Sequence, residues 1–121
     1  MKKILSLALI LLTSSLFSAS IDVKSLADEK CGKCHLGGIL SADKVRNMKA
    51  PPYWGMARVV NDTFNNKTDK INFIVDYTLN PSEDKMIFPK ATKDRFGLMP
   101  SQKGNVTEDE IREIAEYFLG N

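Results

Sequence analysis

Histidine and cysteine are scarce in this chain, whose 121 residues include one histidine, His35, and two cysteines, Cys31 and Cys34. A single histidine excludes any metal site that takes two imidazoles from one chain. Two cysteines separated by two residues exclude a disulfide framework, because a bridge across so short a loop does little for stability. Thiol and imidazole chemistry is therefore confined to one short stretch of the sequence.

Excess charge is also nearly absent. The sequence holds 17 basic and 15 acidic residues, which gives a formal net charge of +2 at neutral pH. Lys2 and Lys3 account for this excess, so the rest of the chain is electrically balanced. A balanced chain gives no support for nucleic acid as a partner, since such binding depends on accumulated positive charge.

The first twenty residues are typical of a secretory signal peptide. Lys2 and Lys3 precede an apolar run over residues 4–12, and Ser18 and Ser20 are small residues suited to a cut after Ser20. A retained membrane anchor is the alternative, but a spanning helix needs about 20 mainly apolar residues. We therefore predict a signal peptide over residues 1–20 and one domain over residues 21–121. The mature protein is expected to be periplasmic and monomeric, with no membrane span.

Cys31, Cys34 and His35 form a Cys-x-x-Cys-His motif, the attachment signature of a c-type haem. Two thiols at this spacing can form thioethers with the two vinyl groups of one haem, and His35 then presents its imidazole to the iron. A disulfide is an alternative in an exported protein. A zinc site would lack a fourth ligand, and a thioredoxin-like pair would need a βαβ pattern that is missing here. The motif predicts one covalent haem c per chain, with His35 on the iron.

Apolar residues recur at helical spacing along most of the chain, and no segment alternates as a strand would. Thr107 and Glu110 form a capping box before the last apolar stripe. Helices are predicted over residues 23–30, 53–60, 71–79 and 107–119, with shorter helical segments over 41–48 and 90–96 and a polar loop over 61–68. The pattern predicts an all-α fold of about four to five short helices.

The second iron ligand must come from another residue type, because His35 is the only histidine. A thioether is the most suitable protein ligand, and four methionines follow the predicted signal peptide: Met48, Met56, Met86 and Met99. Met99 is favoured, because it lies in a loop bounded by glycine and proline shortly before the last helix. Met86 is the alternative, although its apolar neighbours are typical of core packing. Met48, Met56 and an open iron position are the remaining possibilities.

These features together resemble the small class I cytochromes c. The resemblance covers the helix that runs into the Cys31–His35 motif, the helix over 71–79, the loop with Met99 and the helix over 107–119. It implies an all-α fold around one haem, with the first and last helices crossing near it. It also implies His/Met-ligated iron that carries one electron, in an electron carrier and not an enzyme. The alternatives are a haem subunit of a larger oxidoreductase and an open-site haem sensor or enzyme.

The segment after the motif departs from the family pattern. Many members of the family have Gly-Pro there, and a backbone carbonyl accepts the N–H of the iron-binding histidine. This chain has Gly37 and Gly38 instead. Because a ligating histidine nearly always donates its other N–H, a carbonyl of residues 37–39 is expected to accept it.

Further residues are candidates for contacts with the haem or with a partner. Trp54 and Arg58, one helical turn apart, are predicted to contact a haem propionate, and the resemblance supports Trp54 in this role. Apolar pocket walls are expected from Phe88, Phe96, Leu98 and Tyr53. A basic collar is expected around the Met99 loop, suited to an acidic redox partner; its members are Lys85, Lys90, Lys93, Arg95 and Lys103.

Overall fold

The computed structural model describes residues 22–120, and within them the chain forms six α-helices, one 3₁₀ turn and no strand. The helices are α1 (Val23–Lys30), α2 (Ala42–Arg46), α3 (Tyr53–Thr63), α4 (Lys67–Leu79), α5 (Lys90–Phe96) and α6 (Glu108–Leu119). The 3₁₀ turn spans Glu83–Lys85, between α4 and α5. The all-α class is confirmed, with more helices than the four to five that the pattern predicts. The predicted signal peptide lies outside the described residues.

Most helices begin where a side chain can satisfy the first free backbone N–H groups. Asp22, Ser41 and Asn66 accept such bonds at the starts of α1, α2 and α4. Thr107 and Glu110 form the predicted capping box of α6, with bonds of 3.2 and 2.9 Å. The two helices that follow proline, α3 and α5, have no side-chain cap.

The polar loop predicted over residues 61–68 is wrong in extent. Helix α3 continues to Thr63, and α4 already begins at Lys67. The polar side chains of residues 61–63 lie on the exposed surface of α3, and the Thr63 hydroxyl donates to the Val59 carbonyl at 2.7 Å. Asn66 then caps α4 through a 2.8 Å bond from the Asp69 N–H. The polar residues at 61–63 thus indicate a solvent-exposed part of α3 and do not mark the end of the helix.

The hydrophobic core lies where α6 packs against α1, α3 and α4. Its centre is formed by Ala27 and Ala115, which are fully buried, and by Ile114, which is 2% exposed. The remaining core residues are Leu26, Ile71, Val75, Val106 and Ile111. The first and last helices, α1 and α6, therefore pack against each other.

Helices α2 and α5 and the 3₁₀ turn contribute no buried residue. They lie outside the core. Helix α2 is in the segment that joins α1 to α3, and the 3₁₀ turn and α5 are in the segment that joins α4 to α6. Arg95 of α5 donates to the Val45 carbonyl of α2, which joins these two outer segments. Among residues 22–120, no helix has the length and apolar character needed to cross a bilayer.

Candidate cofactor site

A cavity of about 440 Å³ lies between the core and α5, with the motif at one side. This volume is within the range of small-molecule and cofactor sites. Cys31, Cys34 and His35 all contribute to its lining, which brings the whole motif to one place. The rest of the lining is mainly apolar and includes three methionines, Met56, Met86 and Met99.

The motif forms a tight turn that continues from the end of α1. Cys31 and Gly32 both donate their N–H groups to the Ala27 carbonyl, at 2.9 and 3.0 Å, and His35 donates to the Cys31 carbonyl at 2.9 Å. A Cβ atom on Gly32 would lie 2.6 Å from the Asp28 carbonyl oxygen. The turn can therefore wind this closely only because position 32 has no side chain.

The two thiols differ in their surroundings. Cys31 is half-buried and Cys34 is exposed, and neither forms a disulfide. Burial raises the pKa of Cys31 to about 11, with a smaller contribution from the nearby Cys34. Cys31 is therefore held as a neutral thiol at physiological pH, at the inner end of the turn.

His35 is buried, at 8% exposure, and its ring orientation is defined by a hydrogen bond. Its Nδ1 lies 2.7 Å from the Pro51 carbonyl oxygen. A carbonyl can only accept, so Nδ1 carries the proton and donates, and Nε2 keeps a lone pair suited to a metal. Burial lowers the pKa of His35, and the Pro51 bond opposes part of that shift.

The acceptor for His35 is thus Pro51, and the expectation of a carbonyl from residues 37–39 is wrong. The Pro51–Pro52 pair starts α3, and the first proline of the pair turns its carbonyl toward the motif. In the sequence, a proline pair indicates only where a helix can start. A contact between residues 16 positions apart leaves no periodic signal in the sequence.

The cavity does not by itself single out Met99 as the second ligand, since Met56 and Met86 also line it. Met48 is outside the lining. The loop after Met99 is fixed to the end of α4, because the Ser101 hydroxyl donates to the Leu79 carbonyl at 2.7 Å. The Gln102 N–H donates to the Thr78 carbonyl at 3.0 Å. Met99 therefore lies on a tethered loop at the cavity wall, and its role on the iron stays a prediction.

The other predicted contact residues divide between the cavity and the surface. Phe88, Phe96 and Leu98 line the cavity as expected. Tyr53 lies outside the lining and packs against Phe118, with ring centroids 4.0 Å apart. Trp54 is 58% exposed, Arg58 is exposed, and neither reaches the cavity wall. Their predicted contact with a propionate stays a prediction.

Basic residues do surround the cavity, but they are mostly not those of the predicted collar. Lys93 is the only member of that collar in the lining. Lys85 and Lys90 pair with Asp76 and Asp94, at 2.8 and 2.6 Å. The other lysines at the cavity are Lys30, Lys33 and Lys49, and no aspartate or glutamate lines it within the part of the chain that the structure describes.

Between residues 22 and 120, no three side chains of histidine, cysteine, aspartate or glutamate are arranged so that they could hold a metal ion by themselves. Comparisons with protein-family models, with curated proteins and with solved structures found no match to this chain. The chemistry of the site therefore has to be inferred from its own residues.

Proposed function

We propose that this chain is a monohaem c-type cytochrome of the class I kind, which carries one electron at a time between redox partners. The observation that supports it most strongly is that Cys31, Cys34, His35 and Met99 line one largely apolar cavity. Thiol, imidazole and thioether groups are the protein groups that attach and ligate such a haem. The donor set of the cavity thus fits the group that the motif predicts.

Each of these residues has a distinct role in the proposal. Cys31 and Cys34 hold the haem through thioether bonds, and His35 and Met99 are its iron ligands. When bound, the haem supplies an iron that gains and loses one electron. The Pro51 carbonyl holds the His35 proton on Nδ1, which keeps Nε2 available as the ligand.

The cavity wall favours the reduced state of such a site. Phe88, Phe96 and Leu98 give it an apolar wall. The four lysines at the cavity and the lack of a lining acid, as far as the described residues go, place positive potential around it. Positive potential in a medium of low dielectric disfavours the additional positive charge of oxidised iron. Methionine ligation acts in the same direction.

The same lysines indicate the kind of partner. Lys33, Lys49 and Lys93 form no ion pair among the described residues, so their charges are available to an approaching molecule. An acidic redox protein would be steered toward the cavity mouth, and its association rate would fall as salt is added. The proposal places this exchange in the periplasm, with the mature chain as a monomer.

The test is a visible spectrum of the protein made from its full sequence in a host that attaches c-type haem. The ferric and the dithionite-reduced forms of the wild type are compared with those of Met99→Ala, Met86→Ala and Met56→Ala. Sharp α and β bands are expected on reduction, together with a weak far-red ferric band from iron–thioether charge transfer. That band is expected to disappear in Met99→Ala and to remain in the two matched variants.

Each other outcome has a definite meaning. A protein without a Soret band would contradict the proposed function as a whole. Loss of the far-red band in Met86→Ala alone would identify Met86, and not Met99, as the second iron ligand. A high-spin wild-type spectrum that shifts with carbon monoxide would contradict the electron carrier and favour a haem protein with an open iron position.

A further inference from the structure

Residues 51–53 contact the Cys31–His35 turn and the residues beside it at three separate points. The Pro51 carbonyl accepts from His35 Nδ1 at 2.7 Å. The Tyr53 N–H donates to the Leu36 carbonyl at 3.0 Å, and the Tyr53 hydroxyl donates to the Ala27 carbonyl at 2.9 Å. The turn is thereby held before, at and after the candidate iron ligand, and Tyr53 makes two of the three contacts.

The Pro51 carbonyl has little else to hold it in place. Apart from the bond to His35, residues 48–51 form no hydrogen bond within the part of the chain that the structure describes. Tyr53 is the anchored residue that follows this stretch, two positions after Pro51. The position of the carbonyl relative to the imidazole therefore depends on how firmly Tyr53 is fixed.

The aromatic ring of Tyr53 has two aromatic neighbours, Phe118 and His35. It packs on Phe118 of α6 with centroids 4.0 Å apart, and it lies within 23° of parallel to the His35 ring at 6.5 Å. A Cβ atom on Gly37 would lie 3.0 Å from Tyr53 Cδ2. The glycine at position 37 thus makes room for this ring.

We propose that Tyr53 is a positioning residue for His35: by holding the Pro51 carbonyl against Nδ1–H, it fixes the tautomer and the direction of the imidazole that faces the cavity. The effect on the imidazole requires only the contacts given above, whereas its consequence for an iron rests on the proposed function. An Nδ1–H that donates firmly makes Nε2 a stronger ligand and stabilises oxidised iron. Loosening Tyr53 therefore weakens the ligand and raises the reduction potential.

The test compares Tyr53→Phe with Ser101→Ala in the full chain as isolated. Both substitutions remove one hydroxyl that donates to a backbone carbonyl, the first beside His35 and the second beside Met99. The exchange rate of the His35 Nδ1 proton is followed by NMR, and the signal is unambiguous because the chain has one histidine. The Ile114 amide in the buried core reports global opening in the same sample.

Tyr53→Phe is expected to speed exchange of the Nδ1 proton by about fivefold, the factor that one ordinary hydrogen bond supplies. It is expected to speed the exchange of the Ile114 amide by less. Its reduction potential is expected to shift upward. Ser101→Ala is expected to leave the His35 proton unchanged. Equal acceleration of both protons, or an unchanged His35 proton, would overturn the positioning role.

Gly37→Ala provides an independent check if Tyr53→Phe does not fold. It keeps the hydroxyl but forces the ring to shift, so it is expected to change His35 exchange in the same direction. Exchange at the wild-type rate in a folded Gly37→Ala protein would count against the proposal. A chain that carries no thioether-linked haem would contradict the proposed function. The exchange rate of the His35 proton would still decide whether Tyr53 positions the imidazole.

Discussion

The turn over residues 31–35 follows α1 closely because of a single missing side-chain atom. Gly32 could not be replaced without moving backbone, since its added Cβ would meet the Asp28 carbonyl oxygen at 2.6 Å and the Asp28 Cα at 2.9 Å. Its neighbours Cys31 and Cys34 reach the cavity because the turn is this tight. In the sequence, position 32 is only one of two residues between the cysteines, and its steric role emerges only from the structure.

Replacing Gly32 with alanine is expected to destabilise the protein by about 1–3 kcal/mol, as overpacking against backbone does. Gly55 is the matched control, because an alanine Cβ there would meet Pro52 at an ordinary 3.5 Å. It lies within α3, where Gly→Ala is expected to stabilise by about 0.5–1 kcal/mol. Urea unfolding of the two variants should give changes of opposite sign, and a stabilised Gly32→Ala would show that the turn can relax.

The helices themselves were largely predictable, because their signals are local. The stripes over 23–30 and 107–119 give α1 and α6, and the capping box sets the start of α6. The end of α3 and the start of α4 were not predictable in the same way, since residues 61–63 and 67–70 are mainly polar yet helical. The 3₁₀ turn Glu83–Lys85 was missed, because three residues are too few to show a period.

This 3₁₀ turn is tied to α4 by a charged contact that depends on pH. Lys85 Nζ lies 2.8 Å from an Asp76 carboxylate oxygen and also donates to the Asn80 carbonyl at 3.0 Å. The hydrogen bond from Lys85, with a smaller one from Asn80, holds the pKa of Asp76 below its ordinary value of 3.8. The folded state thus binds fewer protons here than the unfolded state, so the contact stabilises above pH 3.8 and is lost as the pH falls through the folded pKa.

Asp76→Asn is therefore expected to lower the free energy of unfolding slightly at neutral pH and to have no effect well below pH 3.8. The effect is small because both side chains are partly exposed to solvent. Asp62→Asn on α3 serves as the control, since Asp62 is exposed and forms no ion pair among the described residues. Urea titrations at the two pH values would contradict this account if the two variants behaved alike.

In the molecule as a whole, some residues of the hydrophobic core also line the cavity. Ile114 is 2% exposed, belongs to the core and also lines the cavity. The sequence predicted the apolar face of α6 that carries it, but not the cavity that this face bounds. The Pro51 carbonyl and three of the four cavity lysines were likewise not predicted, because their places depend on how distant segments pack together.

Ile114→Val is expected to cost about 0.5–1.5 kcal/mol of stability, as removal of one buried methylene does. Ile39→Val makes the same chemical change on a side chain that is fully exposed, and should stay within about 0.5 kcal/mol of the wild type. Thermal or urea unfolding of both variants measures the difference. Equal effects would place Ile114 outside the cooperative core.

The positions of these elements along the sequence also determine the order in which they are synthesised. Helix α6 supplies Ile111, Ile114 and Phe118 to the cavity wall, and it is the last element of the described chain to be synthesised. Cys31 and Cys34 leave the ribosome well before it. If the chain is a c-type cytochrome as proposed, both thiols are therefore synthesised before the helix that completes the cavity wall, and haem attachment does not have to wait for α6.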